Sequence, residues 1–234
     1  MGDFVNTYEL IGDQALTDGL IDGTLTELKD DRLTSVRTRM FQYNKSLVSI
    51  DCPNVTNIGY QSFDTATALK SVRFSNATYI DTAGFAACTS LTDVDLPLLA
   101  GTNQNILRGC TSLVKVKFPN LSAAQGGILY GCTSLAIVDF GNRFGYFNNH
   151  NNLDGCTSLT ALIFRASSIV STGYSTNIQN SGITAGTCYI YVPRTLVDSY
   201  KAATNWSNYA NQFRAIEDYT VDGTTMGDFD ETKI

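Results

Sequence analysis

At 234 residues and 16% charged, the chain is long enough for one sizeable domain or a short repeat array. A net charge of −6 excludes a nucleic-acid partner, whose phosphates need clustered Lys and Arg, and no apolar run approaches the roughly 20 residues that span a bilayer. The 12 Tyr and 12 Phe, set among Gly, Thr, Ser and Asn, suit strands and turns better than long helices.

Residues 1–24 precede the regular part of the chain. Met1 to Asp13 carries acids and no apolar secretory core, so no signal peptide is expected in it, and a trimmed leader gives the same reading. Tyr8, Leu10, Ile11, Leu16, Leu20 and Ile21 predict an N-terminal capping segment. An open repeat array exposes core and unpaired strand edge, so a cap is physically required.

From Leu25 the chain repeats. The phrase Cys88-Thr89-Ser90-Leu91 returns at Cys110, Cys132 and Cys156, with degraded copies at Ala66 to Leu69 and Asn44 to Leu47. The leading leucines stand at 25, 47, 69, 91, 113, 135 and 159, a period of 22 broken once by two extra residues. Such a unit cannot bury its apolar face alone, so the units stack. Each predicted rung has a strand phrase (Leu69/Val72/Phe74, Leu91/Val94/Leu96, Leu113/Val116/Phe118), a turn marked by Pro53, Pro97 or Pro119, and a second apolar cluster such as Val55/Ile58/Phe63. The fold class that follows is an α/β-type right-handed solenoid over 25–193, about seven rungs around a parallel strand ladder.

Stacked rungs put Cys88, Cys110, Cys132 and Cys156 in one column, about 4.8 Å apart. Parallel side chains in a column do not easily reach the torsion of an S–S bond, so buried free thiols are expected. There is no Cys-x-x-Cys pair, and His150 lies near no two cysteines, so neither a metal nor a cofactor is expected. Catalysis also lacks residues. Asp93 and Asp95 share a face, but Lys115 and Lys117 neutralise them from the next rung, and His150 has no nucleophile at a telling spacing. The outward row Asp51, Arg73, Asp95, Lys117, Asp139 and Ile163 alternates in sign and predicts a self-neutralising ladder of neighbours. A second outward row, Ser49, Ser71, Asp93, Lys115, Ile137 and Ala161, names no ligand.

The stretch 141–152 holds the two extra residues and an Asn-rich run, and a larger insertion lies between Ser167 and Thr187. A last strand is expected at Tyr189 to Val192. Leu196, Val197, Tyr200, Trp206, Tyr209, Phe213 and Ile216 have helical spacing and predict a helical cap over 194–218, opened by a Thr195/Asp198 capping box and split at Thr204-Asn205. Residues 219–234 form an acidic tail with an Asp222-Gly223 turn. Recognition is expected where the repeat is irregular and polar or aromatic groups gather. That points to Tyr146, Asn148, Asn149, His150, Asn151 and Asn152, with Phe144 and Phe147 filling the core beneath.

The Phe-x-x-Cys-Thr-Ser-Leu-x-x-Val-x-Phe-Pro phrase over roughly 25–165 resembles the BspA-like bacterial leucine-rich repeats, and is similar to repeat proteins of gut bacteria and their prophages. The segment Tyr191-Val192-Pro193 through Lys201 to Trp206 resembles the piece that closes those arrays. Ile106-Leu107 and Ile128-Leu129 depart from the family's usual Ala-Phe before the Cys while keeping core volume. The resemblance implies a non-catalytic adhesion or binding module, at the cell surface or secreted, with a protein or glycan partner. Its prophage side leaves open a structural or receptor-binding component of a phage particle.

Overall fold

The computed structural model describes residues 23–173, 175–221 and 224–225. The expected N-terminal cap and most of the acidic tail lie outside the described residues. Three ladders run along the molecule. The first contains Glu27–Lys29, Ser49–Asp51, Ser71–Arg73 and Asp93–Asp95 in one parallel sheet. It resumes as Lys115–Phe118, Ile137–Phe140, Ala161–Phe164, Tyr189–Val192 and Phe213–Ala215 in a second parallel sheet. Ser49 stands opposite Ser71 and Ser71 opposite Asp93, so the 22-residue period is the register itself. The second ladder is built of two-residue strands, Ser35–Val36, Asn57–Ile58, Tyr79–Ile80 and Gly101–Thr102, followed by Ala123–Ala124 and Tyr146–Phe147.

The third ladder contains no strand. In each rung two residues four apart take a left-handed conformation: Arg39 and Tyr43, Gln61 and Thr65, Ala83 and Ala87, Asn105 and Gly109, Gly127 and Gly131. This alternation aims successive odd-numbered N–H groups at the next rung. Arg39, Phe41 and Tyr43 donate to the carbonyls of Tyr60, Ser62 and Asp64 at 2.9, 2.7 and 2.9 Å. Later rungs repeat the pattern, as in Leu107 to Ile128 at 3.0 Å and Gly109 to Tyr130 at 2.8 Å.

Between the ladders runs one continuous core from Leu28 to Phe213, containing each leading leucine from Leu47 to Leu159. Equivalent phenylalanines stack along the axis: Phe41 on Phe63 and Phe63 on Phe85, both at 4.9 Å between centroids. Phe118, Phe140 and Phe164 continue at 5.7 and 5.8 Å. These distances follow from the rung spacing, about 4.8 Å, which offset aromatic stacking matches closely.

All six cysteines are free and buried. Each thiol of the column donates to a carbonyl of the rung before it: Cys88 to Phe63, Cys110 to Phe85, Cys132 to Leu107 and Cys156 to Leu129, at 3.1 to 3.2 Å. The position therefore asks for a small side chain, and a thiol adds a weak donor to it.

The C-terminal part departs from the single helical reading. Arg194–Leu196 is a 3-10 turn, Val197–Ala202 an α-helix and Ser207–Gln212 a further 3-10 segment. The helix ends at Ala203, whose backbone is extended, and the left-handed Asn205, at a φ of 70°, lies in the turn before the next segment, where the Thr204-Asn205 split was expected. No side-chain cap hydrogen bond forms at Pro193 or Leu196, so the Thr195/Asp198 capping box is not made. Phe213–Ala215, expected as helix, is a strand pairing in parallel with Tyr189–Val192. Its burial alternates, with Phe213 and Ala215 inward and Arg214 outward. Pairing along the sheet outweighed the helical spacing because the edge of Tyr189–Val192 otherwise lacks partners. Thr220–Val221 pairs antiparallel with Thr224–Thr225.

The insertion after Ser167 is held by the cap. Trp206 Nε1 donates to the Val170 carbonyl at 2.7 Å, and Val170 N donates to the Tyr200 hydroxyl at 2.8 Å. Both rings are buried against Phe164 and Phe213. Trp206→Ala removes the ring and orphans a carbonyl, and should lower the unfolding free energy in a denaturant titration by about 3–5 kcal/mol.

The left-handed residues carry a different prediction. Ala87, with a φ of 55°, occupies the place held by Gly109, Gly131 and Gly155 in later rungs. Replacing it by Gly removes a left-handed penalty of about 1–2 kcal/mol and restores about 0.4–1 kcal/mol of chain entropy to the unfolded state. Ala87→Gly should therefore raise stability by about 1 kcal/mol in the same titration, an unusual direction for a Gly substitution.

Candidate recognition surface

The first ladder's outward row bears out the alternating charges over its first half. Lys29 lies 3.8 Å from Asp51, and Arg73 lies 3.3 Å from Asp95. Its last two members do not face solvent as the row predicted. Asp139 is only 3% exposed and is gripped by Arg165, whose Nε and Nη2 reach its two oxygens at 2.9 Å each. Ile163 is buried, packed with Ile216, Ile137, Tyr191 and Tyr219. The reason is tertiary: the chain beyond Phe213 folds back over this end of the face, and Tyr219 packs on Tyr191 with the rings tilted and their centroids 4.0 Å apart. Exposed Arg194 holds the returning segment, its Nη2 on Asp218 and its backbone N–H on Glu217. A buried carboxylate is tolerated here because a two-point guanidinium neutralises it.

In the stretch 141–152 the two extra residues are separated. Ala123 stands opposite Tyr146, a step of 23, whereas Lys115 stands opposite Ile137, a step of 22. One residue is thus absorbed before Tyr146 and the other after Phe147. The second produces the Asn run's geometry. Asn149 and Asn151 are both left-handed, with φ of 57° and 61°. Asparagine tolerates this region better than other non-glycine residues. Asn148 donates its amide to Gln125 Oε1 at 3.0 Å, and its own Oδ1 accepts from Asn149 N at 3.0 Å.

Asn152 corrects the expected recognition edge. It is fully buried and donates to Asn177 Oδ1 at 2.7 Å and to the Asn148 carbonyl at 2.9 Å. Asn177 in turn donates to the Thr172 carbonyl. The pair bridges this rung to the insertion behind it. Phe144 and Phe147 are buried as expected, Phe144 stacked on Phe140 and Phe147 edge-on to Phe164. Tyr146, Asn148, His150 and Asn151 remain on the surface and Asn149 is half-buried, so the loop brings four of the six named residues to solvent.

Tyr146 belongs to a longer row that spacing in the sequence did not single out. The outward residues of the second ladder are Ser35, Asn57, Tyr79 and Gly101, then Ala123 and Tyr146, with Ser171 bridging to Tyr146. Tyr79 and Tyr146 are 37% and 48% exposed, three rungs and about 14 Å apart. Between them stand the two smallest side chains of the row, Gly101 and Ala123. The Tyr79 ring leans over Gly101, where a Cβ would lie 3.3 Å from Tyr79 Cδ2. The Tyr-Ile and Tyr-Phe dipeptides at 79–80 and 146–147 were the available signal, because each repeats an outward-inward pair.

The model of the BspA-type leucine-rich repeat region matches residues 23–136 and 99–188, in 6 copies. The chain belongs to this family. Its fold is similar to the crystal structure of a leucine-rich cell surface protein of Faecalibacterium prausnitzii A2-165, at a TM-score of 0.60 and 20% identity over 71% of this chain. The match covers 47% of that protein, so this chain corresponds to about half its length. A leucine-rich repeat protein of T. pallidum aligns at a TM-score of 0.47 and 22% identity, over 58% of this chain and 78% of that one. No curated protein sequence matches the chain.

Like its repeats, the chemistry of this BspA-type chain is uniform. Burial pushes the thiols of Cys88 and Cys132 up to about 12, and those of Cys110 and Cys156 well above their ordinary value. Thiolate is the reactive form, so these groups are inert at neutral pH. A thiol reagent at pH 8 should find them only after denaturation. The sign of the linkage is also fixed. Folding raises these values above the ordinary 9.0, so the folded state holds protons that the unfolded chain releases. Stability present below pH 9 should fall as pH rises from 9 toward 12, seen as a declining melting temperature.

Proposed function

We propose that this chain is a non-catalytic binding module displayed at a bacterial cell surface, recognising a protein or glycan through the second ladder's outward row and the adjoining loop. The observation carrying this reading is the pair Tyr79 and Tyr146, exposed on a rigid ladder and flanking Gly101 and Ala123. Tyrosine combines a large apolar face with a polar tip and little rotamer entropy, which suits it to contacts in protein interfaces. Both rings are carried on backbone locked by inter-rung hydrogen bonds, so the surface is ordered before a ligand arrives. Membership of the BspA-type family and likeness to a protein named for the cell surface support the placement. The loop adds Asn148, His150 and Asn151 as polar groups beside Tyr146.

The test begins with a glycan and protein array screen of the whole chain. Against any hit, Tyr79→Ala/Tyr146→Ala should retain the parent's melting temperature and bind at least tenfold more weakly, about 1.4 kcal/mol or more. Asn149 and Asn152 are unsuitable for this purpose, since one holds a left-handed turn and the other a buried bridge. Unchanged affinity in the double variant would place recognition elsewhere.

A further inference from the structure

The second ladder's outward face is two columns wide. Two residues after Tyr79, Gly101, Ala123 and Tyr146 stand Asp81, Asn103, Gln125 and Asn148, with Ile80, Thr102, Ala124 and Phe147 turned inward between the columns. The second column is held by bonds between rungs. Asn103 Nδ2 donates to Asp81 Oδ1 at 3.1 Å, and Asn148 Nδ2 donates to Gln125 Oε1 at 3.0 Å. Asp81 Oδ1, Asn103 Oδ1 and Asn148 Oδ1 also accept from the backbone N–H of the residue that follows each, at 2.6, 3.1 and 3.0 Å. These contacts orient the side chains and leave Asp81 Oδ2, Gln125 Nε2 and one amide N–H of each asparagine outside the network.

We propose that this face binds an extended, uncharged polysaccharide lying along the solenoid axis, across the tyrosines and beside the amide column; the assignment rests on the recognition surface proposed above and names its ligand class. A pyranose carries a face of C–H bonds, which packs on an aromatic ring, and a rim of hydroxyls that both donate and accept. The first column supplies the rings at Tyr79 and Tyr146, with Gly101 and Ala123 keeping the surface low between them. The second supplies one carboxylate oxygen and three amide donors, oriented before any ligand arrives. Charge points the same way. Residues 79–82, 101–104, 123–126 and 146–151 contain no Lys or Arg, and Asp81 is their only acid, so nothing here attracts a polyanion. A protein partner would anchor in desolvated pockets, whereas this column is a row of half-exposed amides beside open rings. The pitch also fits. Each rung advances about 4.8 Å, close to the length of one sugar unit in a straight, β-1,4-linked chain, so polymer and ladder keep step. Over three rungs, Tyr79 and Tyr146 meet the first and last of about four units.

The probes are β-1,4-linked oligosaccharides of glucose, mannose and N-acetylglucosamine, from two to six units long, titrated into the full chain by calorimetry. At least one series should bind, with affinity rising up to about four units and levelling beyond. Asp81→Asn exchanges the outward acceptor for a donor, and Gln125→Glu exchanges the outward donor for an acceptor. Each keeps the oxygen that its neighbouring asparagine uses. Both variants should melt like the parent and bind the longest probe of that series about fivefold more weakly, the value of one hydrogen bond. The proposal is overturned if no series binds, if affinity does not change with length, or if both variants keep the parent's affinity. A protein ligand lost in Tyr79→Ala/Tyr146→Ala, while every oligosaccharide fails, would overturn the polysaccharide and leave the recognition surface in place. Binding of any ligand that survives that double variant unchanged would overturn both.

Discussion

Every rung of this protein depends on a neighbour for both its hydrogen bonds and its core, and the rest of the structure follows from that dependence. A strand of two to four residues cannot persist alone. Here such strands persist because the same backbone groups bond to equivalent groups 22 residues away, on three faces at once. Within the core, a leucine in one rung meets the leucine of the next. The cost of ordering each rung is met only when its neighbour is already in place.

This dependence explains residue choices that look unrelated. The column under Cys88 lies in the closed interior, where the rung spacing leaves room only for a small group. Cysteine there is a hydrophobe with a weak donor, and Ala66 fills the equivalent place in an earlier rung. The third ladder aims consecutive alternate N–H groups in one direction, which requires left-handed residues. Gly109, Gly131 and Gly155 meet that requirement freely, while Thr65 and Ala87 meet it under strain. The same logic divides the two extra residues around Tyr146 and Phe147. A single two-residue bulge would have broken the pairing of those residues with Ala123 and Ala124, whereas two separate bends preserve it.

How much of this was legible in the sequence varies with distance along the chain. The leading leucines and the Cys-Thr-Ser-Leu phrase disclosed the period, the core column and the parallel stacking, since each is a direct consequence of rung-to-rung repetition. Residues whose state depends on a distant segment were not legible. Asp139 sits in the same sequence context as Asp95, yet it is buried because Ile216 and Tyr219 return over it. Phe213 carried helical spacing with Tyr209 and Ile216, and only the open edge of Tyr189–Val192 made it a strand. For the candidate surface, the Asn run was visible as an irregularity, but its cause was not. Asn152 faces inward to Asn177, a partner 25 residues further on that no local pattern announces.

The three faces differ in what they leave for a partner. On the first ladder the charges neutralise one another, and the returning C-terminal segment covers the end where the row turns apolar. On the third, the left-handed turns and their inter-rung bonds commit the backbone, and Arg39 and Arg108 lie over Tyr60 and Tyr130. The second ladder is the plainest in backbone and has the least elaborate outward row, with small or polar residues interrupted by Tyr79 and Tyr146. A repeat scaffold sets such side chains at multiples of the rung spacing, so their separation is fixed by the core rather than by the loop that carries them. On the proposed reading, matching a ligand longer by one recognition unit requires moving a tyrosine by a whole rung. That is a coarse step for a mutation and a simple one for a duplication of 22 residues.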